Sequence, residues 1–167
     1  MSVRPLAVRI VEALTARGER LAVAESLTGG MLTAALVDVP GASAVLSGGV
    51  VAYATPLKAQ LLGVDAGLLA ERGPVDAEVA RQMAAGVRER LAIDGRSAEY
   101  GLSTTGVAGP DPQDGHPPGT VWIGVSSAAG EAASGLLVVG DRAAVREASV
   151  DAALGSLAAA LGLEVAE

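Results

Sequence analysis

The sequence of 167 residues contains no cysteine and no phenylalanine, and only 2% of its residues are aromatic. Without cysteine there is neither a disulfide framework nor thiol chemistry. Half of the residues are hydrophobic, but few of them are aromatic. The core must therefore consist mainly of Ala, Val and Leu, with small gaps between the packed layers. The length suits one domain with a sizeable core, and we expect residues 1–167 to form a single domain.

An excess of positive charge is also missing. The formal net charge is −7, so a surface that binds nucleic acid is not expected. Arg and Glu interrupt the apolar pattern of residues 1–20, which is typical of an amphipathic helix and not of a signal peptide. No uncharged apolar run is long enough to span a membrane. The sequence therefore predicts a cytoplasmic protein without nucleic-acid or membrane partners.

Lysine and histidine occur once each. Eleven of the twelve Lys and Arg residues are Arg, and the single lysine is Lys58. Of these two residue types only lysine can become a neutral base near pH 7, so Lys58 is a candidate general base, although one lysine can also stand there by chance. His116 lies in a loop of Pro and Gly, where a histidine is more often solvated than catalytic.

The apolar pattern predicts helices that alternate with strands, followed by a late β-hairpin. We expect Thr55 to cap the third helix and Asp76 to cap the fifth. The succession predicts an α/β fold, a three-layer α/β/α domain with a mixed β-sheet. Predicted strands are 20–25, 43–54, 120–127 and 132–140, and residues 98–109 are predicted to begin as a strand and run into a turn. Predicted helices are 4–17, 29–41, 55–64, 65–73, 75–93 and 141–161.

The segment SLTGG, residues 26–30, lies where the first predicted strand ends and a helix begins. Ligands bind at this end of the strands in open α/β sheets, and free helix N–H groups favour an anion or an oxyanion. Ser26 could cap the helix, contribute to a phosphate site or act as a nucleophile. Thr28 is the better cap because glycines and the apolar run follow it directly, which leaves Ser26 free.

A nucleophilic serine needs a base. The stretch AESLT lacks the G-x-S-x-G pattern of α/β hydrolases, and His116 is a poor triad member, so Lys58 is the alternative. Burial and the dipole of its helix would favour the neutral amine. Tyr53 lies five residues before Lys58. Its hydroxyl either passes a proton or holds the lysine amine in position; alternatively, Tyr53 is a core residue whose hydroxyl reaches the edge of the core.

Other segments carry groups suited to anions. Gly48 and Gly49 interrupt a predicted strand, which indicates a bulge or a close backbone approach. Residues 103–115 supply hydroxyls and glycines that form either an anion-binding nest or an ordinary turn. Arg142 begins the last helix and can hold a phosphate or carboxylate, with Arg146 as the second candidate, unless both are solvated surface residues.

The sequence contains no recognisable motif for a metal site or for a standard nucleotide-binding site. The spacing of Asp111, Asp114 and His116 matches no metal motif. Neither G-x-G-x-x-G after a strand nor G-x-x-x-x-G-K-[ST] is present, so neither standard nucleotide fingerprint applies. We predict no metal and no cofactor.

Several segments, in this order, resemble the CinA carboxyl-terminal family over about residues 5–161: AESLTGG, SGGVVAYATPLKAQLLGV, GPVD, STTGVAGPDPQDGHPPGTVWIGV and GDRAAVR. The active members of that family are nicotinamide-nucleotide amidases. They convert nicotinamide mononucleotide to nicotinate mononucleotide and ammonia without metal or organic cofactor. The resemblance is to the stand-alone form, without the amino-terminal domain of fused CinA proteins.

The resemblance implies that Ser26 is the nucleophile and that Lys58 and Tyr53 act on its proton. It also implies a substrate-binding hydroxyl at Thr105 and an arginine at Arg142. Oxyanion donors are expected near TGG or GVAG, but the sequence does not identify them. The full predicted set of substrate-binding residues is Thr28, Gly29, Gly30, Gly48, Gly49, Thr105, Gly106 and Arg142.

Two functions from different classes follow. The first is the amidase, with nicotinamide mononucleotide as its small-molecule substrate. The second is a catalytically inactive nucleotide-binding or oligomerisation domain of the same fold. Small domains of this kind often self-associate, so a homo-oligomer is expected in either case.

Overall fold

The computed structural model describes residues 3–164. This part of the chain forms six α-helices, one short 3₁₀ turn and five strands. In chain order they are α1 (Pro5–Arg17), β1 (Leu21–Glu25), α2 (Met31–Val37), the 3₁₀ turn (Ala42–Ala44), β2 (Leu46–Val51), α3 (Thr55–Leu62), α4 (Ala66–Arg72), α5 (Ala77–Arg90), β3 (Tyr100–Gly106), β4 (Thr120–Ser127), β5 (Gly130–Leu137) and α6 (Arg142–Ala160).

The five strands form one mixed sheet in the order β2-β1-β3-β4-β5. Strand β1 is parallel to both of its neighbours, β2 and β3, whereas β4 and β5 are added by antiparallel pairing. Because the three parallel strands end at the same edge, the segments that follow β1, β2 and β3 meet there.

Helices cover both faces of the sheet. Helices α1, α2 and α6 build one hydrophobic cluster, and α3, α4 and α5 build the other. Strand β1 is buried on both sides: Val23 contributes to the first cluster, whereas Ala22 and Ala24 contribute to the second. Successive side chains of a strand point to opposite faces, so a strand between two helical layers contributes alternately to the two hydrophobic clusters. The predicted three-layer α/β/α fold with a mixed sheet is confirmed.

Small residues bring the layers close together, as the composition predicts. A Cβ atom on Gly124 of β4 would collide with the main-chain oxygen of Ala80 in α5. A larger residue in β4 would therefore push this helix away from the sheet. No helix within residues 3–164 combines the length and the apolar character that a membrane span requires.

The predicted helix caps and helix bounds can be compared with the structure one by one. The carboxylate of Asp76 accepts the N–H groups of Glu78 and Val79, so the predicted cap of α5 is confirmed. The predicted cap at Thr55 is wrong, because Thr55 is already helical and Ala54 precedes α3 without a side-chain capping bond. Helix α2 is shorter than the predicted 29–41, since residues 29 and 30 form a left-handed turn before it.

Candidate active site

A cavity of about 270 Å³ opens at the carboxyl edge of the parallel strands. Its walls come from the turn after β1, the loop between β2 and α3, the first turn of α3, the segment before α5, the end of β3 with its following loop, and the first residue of α6. It brings together six residues of the predicted site: Ser26, Tyr53, Lys58, Thr105, Gly106 and Arg142.

A larger groove of about 520 Å³ lies between β4, β5 and α6. It is lined mainly by alanines, with serines and Glu131 at its sides, and no lysine, arginine or histidine is among the described residues that line it. The groups suited to catalysis are in the smaller cavity.

Lys58 and Ser26 are in direct contact in this cavity. The amine Nζ of Lys58 lies 3.0 Å from the hydroxyl oxygen of Ser26, and the lysine is only 1% exposed. The amine also donates to the main-chain oxygens of Ala52 at 2.9 Å and Tyr53 at 3.4 Å. Within residues 3–164 no carboxylate pairs with it. Burial without a counter-charge lowers the pKa of the Lys58 amine to about 8.

This geometry suits proton exchange between the two side chains. A neutral amine has two N–H donors and one lone pair. The carbonyl groups of Ala52 and Tyr53 take the two donors, which leaves the lone pair for the proton of the Ser26 hydroxyl. In the protonated amine the third N–H donates to the same oxygen. The arrangement therefore allows a proton to be exchanged in either direction along one short contact.

Glu25, which precedes Ser26, is the residue that sequence reasoning missed. Its buried carboxylate accepts the N–H groups of Gly30 at 3.0 Å, Leu32 at 3.1 Å and Thr33 at 2.8 Å, and also the Thr33 hydroxyl at 2.6 Å. Glu25 thus satisfies the N-terminus of α2. A charged residue at the end of an apolar strand was the available signal, because a buried carboxylate requires several donors.

Thr28 has a different position from the one predicted. Its hydroxyl shares a 2.8 Å hydrogen bond with the hydroxyl of Thr104 and does not cap α2, so the predicted cap is wrong. The side chain is fully buried and does not line the cavity. Gly29 and Gly30 do not line it either; their φ angles of 57° and 101° form the tight turn that leads into α2.

Arg146 binds the main chain of this turn. Its Nε donates to the Leu27 oxygen at 2.9 Å and its Nη2 donates to the Thr28 oxygen at 3.1 Å. The side chain predicted as a second anion ligand is therefore engaged with the protein itself. The turn that carries Ser26 is held by Glu25 on one side and by Arg146 on the other.

Gly48 and Gly49 lie within β2, and the structure does not bring them to the cavity. The register between β1 and β2 shifts beside Gly48, and a Cβ atom on Gly49 would collide with the side chain of Thr33. The predicted bulge and close approach are confirmed: Gly48 lies beside the register shift, and Gly49 allows β2 to pack closely against α2. The structure gives no support to their predicted contact with substrate.

Tyr53 and Arg142 meet at the mouth of the cavity. Arg142 donates from Nη2 to the Tyr53 hydroxyl at 3.1 Å and from Nη1 to the Gly109 oxygen at 2.8 Å. Tyr53 is 59% exposed, and Lys58 contacts its main-chain oxygen instead of its hydroxyl. The tyrosine hydroxyl is thus paired with Arg142, and the predicted proton relay from Tyr53 to Lys58 has no geometric support.

The end of β3 and the following loop form the remaining wall. The Thr105 hydroxyl donates to the Pro74 oxygen at 2.7 Å, which ties β3 to the segment before α5. Asp111 and Gln113 line the cavity, whereas His116 pairs its main chain with Gln113. In the described range of the chain, no three His, Asp or Glu side chains are grouped to hold a metal ion.

The fold and the site define a class: an α/β/α protein with a buried Ser–Lys pair at the carboxyl edge of its parallel strands. A family model described as "CinA C-terminal domain" matches residues 3–161. The chain belongs to the CinA C-terminal domain family, as the sequence motifs imply.

Relatives with known names are similar over most of this chain. The CinA-like protein of Frankia casuarinae is 52% identical over 141 residues, which are 84% of this chain and 31% of that protein. A putative competence-damage inducible protein of Geobacillus kaustophilus is 45% identical over 139 residues, 83% of this chain and 32% of that protein. The chain spans about a third of the length of the curated relatives it matches.

Solved structures of the superfamily have the same fold. A competence-damaged protein (CinA) superfamily protein of Klebsiella pneumoniae is similar with a TM-score of 0.87 and 33% identity, over 97% of this chain and 99% of that one. Another from Enterobacter cloacae has a TM-score of 0.89 and 30% identity, over 96% and 93% of the two chains.

Proposed function

We propose that this protein is an amidohydrolase that converts nicotinamide mononucleotide to nicotinate mononucleotide and ammonia. Ser26 is the nucleophile and Lys58 its general base. The observation that carries the proposal is the 3.0 Å contact between the buried Lys58 amine and the Ser26 hydroxyl. The sequence motifs shared with the amidases of this family support the choice of substrate.

The first half of the reaction forms an acyl-enzyme. Neutral Lys58 accepts the proton of Ser26 while the serine oxygen bonds to the carboxamide carbon, whose carbonyl electrons move to oxygen. When the tetrahedral intermediate collapses, the carbon–nitrogen bond breaks. The protonated Lys58 gives its proton to the leaving nitrogen, and ammonia departs.

The second half releases the acid. Lys58, neutral again, takes a proton from a water molecule as its oxygen bonds to the ester carbon. Collapse of this second intermediate breaks the ester bond, and Ser26 recovers its proton from Lys58. The product leaves as the carboxylic acid, which gives its proton to water and becomes the carboxylate, and the enzyme returns to its first state without any cofactor.

Arg142 is the proposed ligand of the substrate phosphate. Two of its five N–H donors are used by Gly109 and Tyr53, and the exposed guanidinium keeps the others for an anion at the cavity mouth. A chain of net charge −7 needs such local positive charge to bind a nucleotide. Within residues 3–164, Arg142 and Lys58 are the basic side chains that line the cavity.

The alternative is an inactive nucleotide-binding or oligomerisation domain of the same fold. A domain with only that role gains nothing from burying an unpaired amine, because burial of a charged group without a partner is unfavourable. Self-association stays a prediction under both hypotheses, and light scattering would measure it. Only the amidase predicts that ammonia is released.

Ammonia release from nicotinamide mononucleotide tests the proposal directly. The wild-type protein should form ammonia and nicotinate mononucleotide in equal amounts, measured by a coupled assay and by mass spectrometry. Ser26→Ala should lower kcat by about 10³-fold or more, as for other serine nucleophiles. Ser149→Ala is the matched control, because that buried hydroxyl donates to Val145 within α6, outside the cavity. Equal product from Ser26→Ala would refute the mechanism, and no product from wild type would refute the substrate.

A further inference from the structure

The N-terminus of α2 is not available to a substrate. Its free N–H groups at Gly30, Leu32 and Thr33 all donate to the carboxylate of Glu25. An oxyanion that forms at Ser26 therefore has to be stabilised by other donors. This excludes the glycine N–H at position 30 that the TGG motif suggests.

The other main-chain N–H groups of residues 26–31 also donate to acceptors within the protein, with two exceptions. Ser26 donates to the Thr104 oxygen, Gly29 to the Ser26 oxygen and Met31 to the Thr28 oxygen, each at 3.1 Å. Among the hydrogen bonds of residues 3–164, the N–H groups of Leu27 and Thr28 have no acceptor. Of these two residues, Leu27 lines the cavity and Thr28 does not.

The direction of the Leu27 N–H follows from its peptide bond. The bond between Ser26 and Leu27 is trans, so this N–H is opposed to the Ser26 carbonyl. That carbonyl accepts the Gly29 N–H inside the turn, and the Leu27 N–H consequently points out of it. Arg146 fixes the next two peptide groups through the oxygens of Leu27 and Thr28.

We propose that the main-chain N–H of Leu27 donates to the oxyanion of the tetrahedral intermediates formed at Ser26. A donor on the residue after the nucleophile is the arrangement of the α/β-hydrolase nucleophile elbow, which this turn reaches without that motif. Other lining residues, among them Ala108 and Gly109, also have N–H groups that lack an acceptor in the described range, but they are distant from Ser26 in the chain, whereas the Leu27 N–H belongs to the peptide bond that follows the nucleophile. The inference rests on the proposed serine chemistry, not on the identity of the substrate.

Replacing single amide bonds with esters tests the assignment. Incorporation of the α-hydroxy analogue of leucine at Leu27 removes this N–H and keeps the side chain. Because the N–H has no acceptor in the fold, the protein should fold normally. We expect kcat to fall by about 10²–10³-fold, the effect of losing one oxyanion donor, with KM within about threefold of wild type. The rising limb of the pH profile should not move, because the contacts of Lys58 are unchanged.

Two further esters control the experiment. An ester at Val139, which is 95% exposed and whose N–H has no acceptor within residues 3–164, should leave the rates as in wild type. An ester at Thr28 should have a smaller effect than the one at Leu27. Unchanged rates with the Leu27 ester, or a larger loss with the Thr28 ester, would overturn the assignment.

A second readout separates this inference from the choice of substrate. A fluorophosphonate labels reactive serines and uses the oxyanion donor for its phosphoryl oxygen, so the Leu27 ester should slow labelling of Ser26 by about 10²-fold. Slower labelling in a protein that does not hydrolyse nicotinamide mononucleotide would support the donor and reject the substrate. Equal labelling of the Leu27 ester and wild type, or no labelling of wild type at Ser26, would reject the donor.

Discussion

The Lys58 amine and the Ser26 hydroxyl lie 3.0 Å apart although 32 positions separate them in the chain. Strand β1 brings Ser26 to the carboxyl edge of the sheet, and α3, which follows the neighbouring strand β2, brings Lys58 to the same edge. Since this is the only lysine of the sequence, its protonation can be followed without interference from other lysine side chains.

The pKa of Lys58 can be measured by NMR. Protein labelled with ¹³Cε-lysine should give one resonance that titrates with a midpoint near the value of about 8 that burial imposes. Because the neutral amine is the base, kcat/KM should rise about tenfold per pH unit below this midpoint and level off above it. A midpoint above 10, as in an exposed lysine, would contradict the assignment.

Lys58→Arg tests the base while keeping its charge. An arginine remains protonated and cannot accept the serine proton. We expect kcat to fall by about 10²–10⁴-fold, the usual contribution of a general base, with the fold intact by circular dichroism. Near-full turnover in Lys58→Arg would rule out the general-base role, whatever the loss in Lys58→Ala.

The same amine should destabilise the folded protein. The pKa of Lys58 is about 8 in the fold and 10.5 for an ordinary lysine, so between these values the unfolded chain binds a proton that the folded chain does not. Stability therefore rises with pH through this window, and below pH 8 the penalty is constant at about 3 kcal/mol.

Lys58→Met removes that penalty but also the three hydrogen bonds of the amine. We expect the free energy of unfolding at pH 7 to increase by about 1–3 kcal/mol, and the gain to shrink as the pH approaches 10. Urea unfolding at pH 7 and pH 10 measures both values. A variant less stable than wild type at pH 7 would show that the hydrogen bonds outweigh the buried charge.

Arg142→Met tests the proposed phosphate contact. Loss of a charge-assisted hydrogen bond of about 1.5–3 kcal/mol should raise KM for nicotinamide mononucleotide about tenfold to hundredfold, with little change in kcat. Nicotinamide riboside, which lacks the phosphate, should respond to the substitution by less than about threefold. An equal loss with both substrates would place the role of Arg142 elsewhere.

Tyr53→Phe is the companion variant of Arg142→Met. It removes the hydroxyl that accepts from Arg142 and leaves the main-chain oxygen that accepts from Lys58. We therefore expect a moderate rise in KM and a kcat within about twofold of wild type. A large fall in kcat would restore the proton relay that the sequence suggested.

The strands, most of the helices and the two candidate residues Ser26 and Lys58 could be predicted from the sequence because they depend on local patterns, whereas the contact between the two side chains depends on the pairing of β1 with β2. An apolar run that is followed by a serine and two glycines marks the end of β1, and a single lysine among eleven arginines makes Lys58 a candidate base. Such signals need no knowledge of distant contacts.

The residues that hold the site in place could not be predicted from local patterns. Both Thr28 and Glu25 have side-chain oxygens that could accept the free N–H groups of α2. In the folded chain the Thr28 hydroxyl is bonded to Thr104, and the Glu25 carboxylate accepts the N–H groups of the helix instead. Arg146 acts on Leu27, 119 positions away, which no local pattern reveals. Likewise, Gly49 in β2 is explained by the neighbouring side chain of Thr33 and not by a ligand.

The antiparallel hairpin of β4 and β5 contributes no residue to the wall of the cavity. Its turn, residues 128–129, lies beyond the paired ends Ser127 and Gly130, at the opposite end of β4 from Val121, which pairs with Gly106 beside the site. An affinity tag or a fluorescent domain inserted at this turn would stand far from the chemistry. The tip of the hairpin is thus a suitable point for attaching the molecule to a surface so that the cavity faces the solution.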